Sequence, residues 1–516
     1  MKRYFSVIFR PFKEDFPYFL SLWMLVSFAD IFYWTSFHDV KLALIKAMYG
    51  FIATYFVVLF TCLFDGKGKR SLQIAFWCLG IINLLTDTFI HHSFHTDISD
   101  DMIAIIYGTN LAETKEFLTM YLPPLMLVVL ACGITISIGV YLIANKFKAV
   151  YNKPFVKYAL LLVLLSGTGL ILTHPWTYGR TIYLNKIGML LSYKKPADFK
   201  DKRYLTDAFR ETENGPQHVV LIMGESMSKS HCSLYGYEKK TTPRLDSLNQ
   251  AGIVYKYNRV TSPAAITVES FKYMMTLFNH SSKDEFWQYP FLLDIMKGAG
   301  FYTIWISNQS SAGLADNVVA RFAELADTTI WVGKKGMGQL KVDLDEDVIP
   351  VIDSMRPKNN DCPCFWFIHL MGSHEAFHTR YPSSFDYFKQ DDYSDKPQKD
   401  RWLWSSYDNS VRYTDFVVTE IMRRFKNDNA IVIYLPDHGM DIYESDPTYA
   451  GHAKPNDSQS FNAATRIPLV LFPTDCYLSL HPDKLGIIKS SVDEPFNTED
   501  ITCKIMDLAD ITLGNP

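Results

Sequence analysis

The stretch IVIYLPDHGMD, residues 431–441, ends an apolar run in an adjacent acid and imidazole, Asp437 and His438, followed by Gly439. Other apolar runs deliver similar groups: Glu225 follows VVLIMG, and His374 follows FIHLMGS. Two carboxylates with an imidazole form a donor set for a divalent metal, and mixed oxygen and nitrogen ligands favour zinc over magnesium or calcium. A fourth group, Thr267 in SPAAITVESFKYMM, opens an apolar-periodic segment. A helix N-terminus there would lower the cost of an alkoxide, and a hydroxyl becomes a useful nucleophile only when a metal or base activates it. Each residue also has an ordinary reading. An acid–histidine pair at a strand end serves as a salt bridge or cap, Glu225 can cap the helix after it, and Thr267 reads as an N-cap.

The elements that must position these groups begin near residue 216. HVVLIMGES, FYTIWISNQ, CFWFIHLMGSH, AIVIYLPDHG and IPLVLFPTD are short apolar runs, with helical stretches such as SFKYMMTLF and 402–425 between them. Near-continuous apolar strands alternating with helices predict a mostly parallel sheet covered on both faces. Ligands bind such sheets beyond the carboxyl ends of the strands, where the polar groups stand. Two consecutive ligands at one strand end reach one ion only if the backbone leaves the extended state, since strand side chains alternate faces. Gly439 makes that bend cheap.

The first third of the chain is different. Five apolar stretches, near 18–34, 42–64, 71–90, 117–145 and 156–174, are long enough to span a bilayer. The first carries Asp30 and is the weakest; a signal peptide would explain it alone but not the other four. Basic residues fall at the N-terminus (Lys2, Arg3, Arg10, Lys13), after the second span (Lys67, Lys69, Arg70) and after the fourth (Lys146, Lys148, Lys153, Lys157), while the loop at 91–116 is acidic. Basic loops stay in the cytoplasm, so everything after His174 is expected outside. The expected organisation is a transmembrane domain over 1–175, an interfacial connector over 176–215 and an external domain over 216–516. YLNKIGMLLSYKK in the connector suits a helix on the membrane surface or one packed on the external domain. A net charge of −4 without a basic tract argues against nucleic-acid binding. Five spans with few charges offer little pathway for a transporter. Cys362–Pro–Cys364 lacks the second pair that a zinc finger needs.

GESMSKSHCSLYGYEKKTTPRL, residues 224–245, resembles the motif that opens the catalytic domain of bacterial phosphoethanolamine transferases, in the alkaline phosphatase superfamily. Those enzymes read approximately GE(S/T)-x-x-x-x-H-x-S-L-x-GY-x-x-x-T-x-P, and Gly224, Glu225, Ser226, His231, Ser233, Leu234, Gly236, Tyr237, Thr242 and Pro243 match. MGSH at 371–374, PDHG at 436–439 and GH at 451–452 follow in the family's order, after five spans. The resemblance implies an alkaline-phosphatase-like α/β catalytic domain behind a five-helix membrane domain in the bacterial inner membrane, with the catalytic part periplasmic. It implies that Glu225, Thr267, Asp437 and His438 hold zinc, one ion or two, with Thr267 also the nucleophile. His374 and His452 match histidines that contact the phosphoryl group or a second zinc. Asn308 and Gln309 fall where the family binds substrate, and Glu113 in TNLAETKEF matches a signature for the donor head group. The implied reaction moves phosphoethanolamine from phosphatidylethanolamine to a lipid or glycan acceptor such as lipid A or lipopolysaccharide core. Pro263 and Tyr273 stand where lipid A-modifying members carry a cysteine pair, and no lysine follows Asn308 as in some of them. A glycerol-phosphate transferase of the same superfamily and a membrane-anchored binding protein on a decayed catalytic fold are the alternatives. A sulfatase would need Cys-x-(Pro/Ala)-x-Arg, which neither Cys232 nor Cys362 begins. Among the other histidines, solvation explains His91, His92 and His95 as well as metal binding does, and His369 reads as a core residue.

Overall fold

The computed structural model of the chain describes residues 9–36, 39–94, 98, 124–147, 153–173, 203, 207–211, 215–309, 318–332, 344–356, 362–447, 449–454 and 457–514. The chain divides into two compact units.

The N-terminal unit holds α1 (Phe16–Ser36), α2 (Val40–Thr61), α3 (Gly66–Phe94), α4 (Pro124–Lys146) and α5 (Pro154–Thr173). Among the described residues, four helices, Phe16–Ser36, Val40–Thr61, Gly66–His92 and Met126–Lys146, are long and apolar enough to cross a membrane. The fifth expected span coincides with α5, which is not among those four. Between apolar helices, polar side chains supply the specific contacts: Ser21 Oγ lies 2.9 Å from Ser137 Oγ, and Asn83 donates to the Val26 carbonyl at 3.2 Å. As expected, α1 is the least apolar of the four, and the Asp30 charge in it is paired. Its carboxylate lies 3.1 Å from Lys46 Nζ and 2.9 Å from His91 Nε2, all three side chains being buried. For His91, burial on Asp30 therefore replaces solvation.

The second unit is built on a seven-stranded sheet of β1 (His218–Gly224), β2 (Tyr255–Lys256), β3 (Tyr302–Ser307), β4 (Thr328–Trp331), β5 (Cys364–His369), β6 (Ala430–Pro436) and β7 (Val470–Pro473). The spatial order is β2-β7-β6-β1-β5-β3-β4. The sheet is mixed, which qualifies the expected mostly parallel arrangement. β6, β1, β5, β3 and β4 pair in parallel, whereas β7 runs antiparallel to both β6 and β2. Every residue of β1, β5 and β6 is buried, as continuous apolar composition requires of strands covered on two faces. Trp305 stacks on Phe367 at 3.8 Å in this core. The long helix α7 (Arg401–Phe425) and the short α6 (Thr267–Met274) complete the frame that matters for chemistry. Most of the expected connector, including the YLNKIGMLLSYKK segment, lies outside the described residues; Ala208–Arg210 within it pairs antiparallel with Ile511–Leu513.

Candidate active site

β1 lies between β6 and β5, so three adjacent parallel strands end side by side. The register pairs Gly224 with Pro436, which puts Glu225 and Asp437 one step past the last paired residues of neighbouring strands. The Asp437 amide still bonds the Gly224 carbonyl at 3.2 Å, and the Gly439 amide bonds Ala464 O at 2.7 Å, so the chain turns as PDHG predicts. One ligand atom each from Glu225, Asp437 and His438 lies within 4.8 Å of the others, and all three residues are buried. His438 Nε2 stands 3.1 Å from Glu225 Oε1 and 3.7 Å from Asp437 Oδ2.

Thr267 joins them. It is the first residue of α6, and the N-cap is Ile266, so the hydroxyl is not spent on capping. Its Oγ1 lies 3.2 and 3.3 Å from the two carboxylate oxygens of Glu225 and 3.4 Å from His438 Nε2. The four residues expected to share one ion are brought together.

The electrostatics fit a cation. Burial would raise the Glu225 carboxyl, but His438 holds it well below the usual carboxylate range. Burial and then the Glu225 charge push Asp437 up to about 7. Burial would lower His438, yet Asp437 and Glu225 lift it to about 10. Two buried carboxylates so close need positive charge between them. Asp437 Oδ2 is buried with no hydrogen-bond partner among the described residues, as an atom reserved for a ligand would be. The donors, oxygen and nitrogen without thiolate, suit zinc.

A surrounding shell fixes Glu225. Ser226, at a left-handed φ of 55°, donates to Glu225 Oε1 at 2.9 Å. Gln309 donates to Glu225 Oε2 and to the Leu370 carbonyl, both at 3.2 Å. Asn308 instead donates to Asp345 Oδ1 at 2.8 Å; Asp345 in turn accepts from the amides of Met371 and Gly372, each at 2.8 Å. At Gly372 (φ 51°) the Glu225 backbone occupies the space a Cβ would need. His374 and His452 sit at the rim, with side chains 25% and 21% exposed. The pairing of Gly451 with Asp441 brings His452 back towards PDHG, with ring centroids of His438 and His452 5.0 Å apart. Sequence reasoning missed Glu375, the buried acid that lies 3.0 Å from His452 Nδ1; its only signal was a charge beside His374. His369 is a core residue, buried among Phe271, Trp305 and Phe367 and pushed down to about 4 by burial. Glu113 lies outside the described residues.

The chain is similar to known proteins in sequence and fold. The chain is 25% identical over 464 residues to the phosphoethanolamine transferase EptC of Escherichia coli, covering 81% of this chain and 76% of that protein. The crystal structure of the periplasmic domain of E. coli EptC in complex with zinc superposes with a TM-score of 0.55 at 26% identity, over 60% of this chain and 86% of that one. The integral membrane lipooligosaccharide phosphoethanolamine transferase A of Neisseria meningitidis shares the fold along 97% of this chain and 96% of its own, with a TM-score of 0.70 at 20% identity. The sulfatase family pattern matches residues 217–511, more than half of the chain. The extent of that match is decisive: the chain belongs to the sulfatase family, and the relatives it resembles along most of its length are phosphoethanolamine transferases.

Proposed function

We propose that the protein is a membrane-bound phosphoethanolamine transferase that takes the head group of phosphatidylethanolamine and passes it, through Thr267, to a lipid or glycan acceptor of the cell envelope. The observation that carries this reading is the Thr267 hydroxyl, turned away from capping and set within 3.2–3.4 Å of Glu225 and His438. Glu225, Asp437, His438 and Thr267 would hold zinc, which as a Lewis acid lowers the pKa of an oxygen bound to it and polarises a phosphoryl group. Thr267 Oγ1 attacks phosphorus, the diacylglycerol oxygen leaves, and the head group remains on threonine. Position at the first turn of α6 favours the developing negative charge. An acceptor hydroxyl or phosphate then displaces Thr267, with a rim histidine as the base for a hydroxyl.

The N-terminal helices anchor the catalytic part outside the inner membrane, on the leaflet that holds the lipid donor, and Glu113 pairs with the donor ammonium. Relatives named phosphoethanolamine transferases support the identity of the transferred group, and the complete set of candidate metal-site side chains counts against a binding-only protein. A sulfatase reaction is disfavoured, since neither Cys232 nor Cys362 begins the Cys-x-(Pro/Ala)-x-Arg motif it needs. The full-length Thr267→Ala variant, incubated with head-group-labelled phosphatidylethanolamine, is expected to lose both the covalent adduct and transfer while keeping its unfolding temperature. Transfer at the normal rate by that variant would overturn the assignment. Label appearing only with phosphatidylglycerol as donor would replace it with glycerol-phosphate transfer.

A further inference from the structure

One buried acid beside the site takes no part in the chemistry above. Glu375 is 7% exposed, and its carboxylate bridges the two rim histidines: Oε1 lies 3.0 Å from His452 Nδ1 and Oε2 lies 3.7 Å from His374 Nε2. A carboxylate buried beside a catalytic centre is costly unless its charge is used, and hydrogen bonds to its backbone segment hold this one in place. The Arg380 guanidinium, 3% exposed, donates through Nε to the carbonyls of His374 and Glu375 at 3.2 and 3.1 Å, and through Nη2 to the Glu375 carbonyl at 2.5 Å. The Ser373 amide bonds the Glu225 carbonyl at 2.9 Å, so the segment carrying Glu375 is tied to the backbone of a metal-site residue.

The imidazole has two nitrogens with opposite roles. When a carboxylate accepts from Nδ1–H, the basic lone pair is on Nε2. His452 is held at Nδ1, and its ring neighbours His438. We infer that Glu375 is a positioning residue for the second half of the transfer, fixing His452 in the tautomer and orientation that let Nε2 take the proton of an incoming hydroxyl. This rests on the transferase reading above. The step balances as follows: the acceptor O–H bond breaks and its proton passes to His452 Nε2, the acceptor oxygen bonds phosphorus, and the bond from phosphorus to Thr267 Oγ1 breaks with its electron pair left on Oγ1. That oxygen recovers a proton from His452, and the site is reset.

The test uses the full chain with zinc in mixed micelles of detergent and phosphatidylethanolamine, with water as the acceptor hydroxyl. Glu375→Gln preserves shape but presents an amide that can donate to Nδ1 and force the wrong tautomer. Steady-state diacylglycerol release is expected to fall about 100-fold, the scale of a lost general base. Meanwhile acid-quenched protein is expected to carry phosphoethanolamine on Thr267 in nearly every chain, because only the second step is slowed. His452→Gln should behave alike, and the double variant should be no slower than either single one within about threefold, as for residues acting as one unit. Glu375→Asp, which keeps the charge, should retain more turnover than Glu375→Gln. A purely structural role would lower turnover without accumulated adduct, and that result overturns the inference, as does turnover within about threefold of wild type or Glu375→Asp slower than Glu375→Gln. An adduct in wild type but not in the variants defeats this inference alone; no adduct in any of the proteins defeats the transferase reading with it.

Discussion

Gly372 offers a sharp perturbation because its cost can be worked from geometry. A Cβ at this position would stand 2.7 Å from both the amide nitrogen and the carbonyl oxygen of Glu225, where ordinary contact begins at 3.4 Å. Relief requires a shift of about 0.7 Å, and the obstructing atoms are backbone, so no side chain can swing aside. The residue also holds φ at 51°, a left-handed conformation that costs a non-glycine residue roughly 1–2 kcal/mol. Adding about 1–3 kcal/mol for overpacking, Gly372→Ala is expected to lose about 2–5 kcal/mol of stability. The functional loss has a separate origin. Displacing Glu225 moves one carboxylate of the proposed metal site and the partner of Thr267, and a misplacement approaching 1 Å can cost about 100-fold in rate. Gly252→Ala is the matched control, since Gly252 has φ 70° but nothing within 4 Å of its added Cβ. It should lower the unfolding temperature through strain alone and leave transfer per folded molecule unchanged. Head-group transfer and bound zinc would be measured on both variants below their unfolding temperatures. If Gly372→Ala transfers at the Gly252→Ala rate with full zinc, the claim that backbone contact with Glu225 sets the site is wrong.

Two further predictions concern stability. His218, at the start of β1, accepts from Trp366 Nε1 at 3.3 Å, and burial followed by the Arg356 charge pushes its imidazole down to about 4. Between about pH 6.5 and 4 the unfolded chain binds a proton that the native state refuses, so stability present above that window is lost as pH falls, by up to about 1.4 kcal/mol per pH unit. His218→Gln should flatten this limb in detergent melts recorded from pH 7 to 4, and an unchanged slope would refute the assignment. In the N-terminal unit, Asp30→Asn removes the carboxylate 3.1 Å from the buried Lys46 ammonium and is expected to cost about 3–5 kcal/mol. Pairing it with Lys46→Met should recover much of the loss in the unfolding of the micelle-bound protein; a double variant no more stable than Asp30→Asn would show that the ion pair is not what holds these helices.

Much of this protein was legible as local pattern. Every apolar run read as a strand is one, and Glu225, Gln309 and Asp437, at the ends of the parallel strands β1, β3 and β6, meet at one site, because an uninterrupted apolar strand must be buried on both faces and leaves chemistry only at its ends; β7 runs antiparallel, so its polar end lies beside the start of β6 instead. The short strands β2 and β4 escaped notice: two and four residues carry too little periodicity to announce themselves. Asn308 matched a substrate-binding position by sequence, yet its amide is engaged with Asp345, a partner 37 residues away that no local signal names.

By itself the sequence determined the element types, the apolar N-terminal helices and the candidate donors Glu225, Asp437 and His438, since periodicity, turn residues and donor chemistry are written in consecutive positions. Only the tertiary structure decided that Gly224 pairs with Pro436, that the Thr267 hydroxyl turns from its helix to Glu225, and that Glu375 grips His452. Those contacts join positions from 42 to 212 residues apart in sequence, and they depend on how strands align and loops close in space, which the close packing of the whole core sets rather than any single stretch of chain.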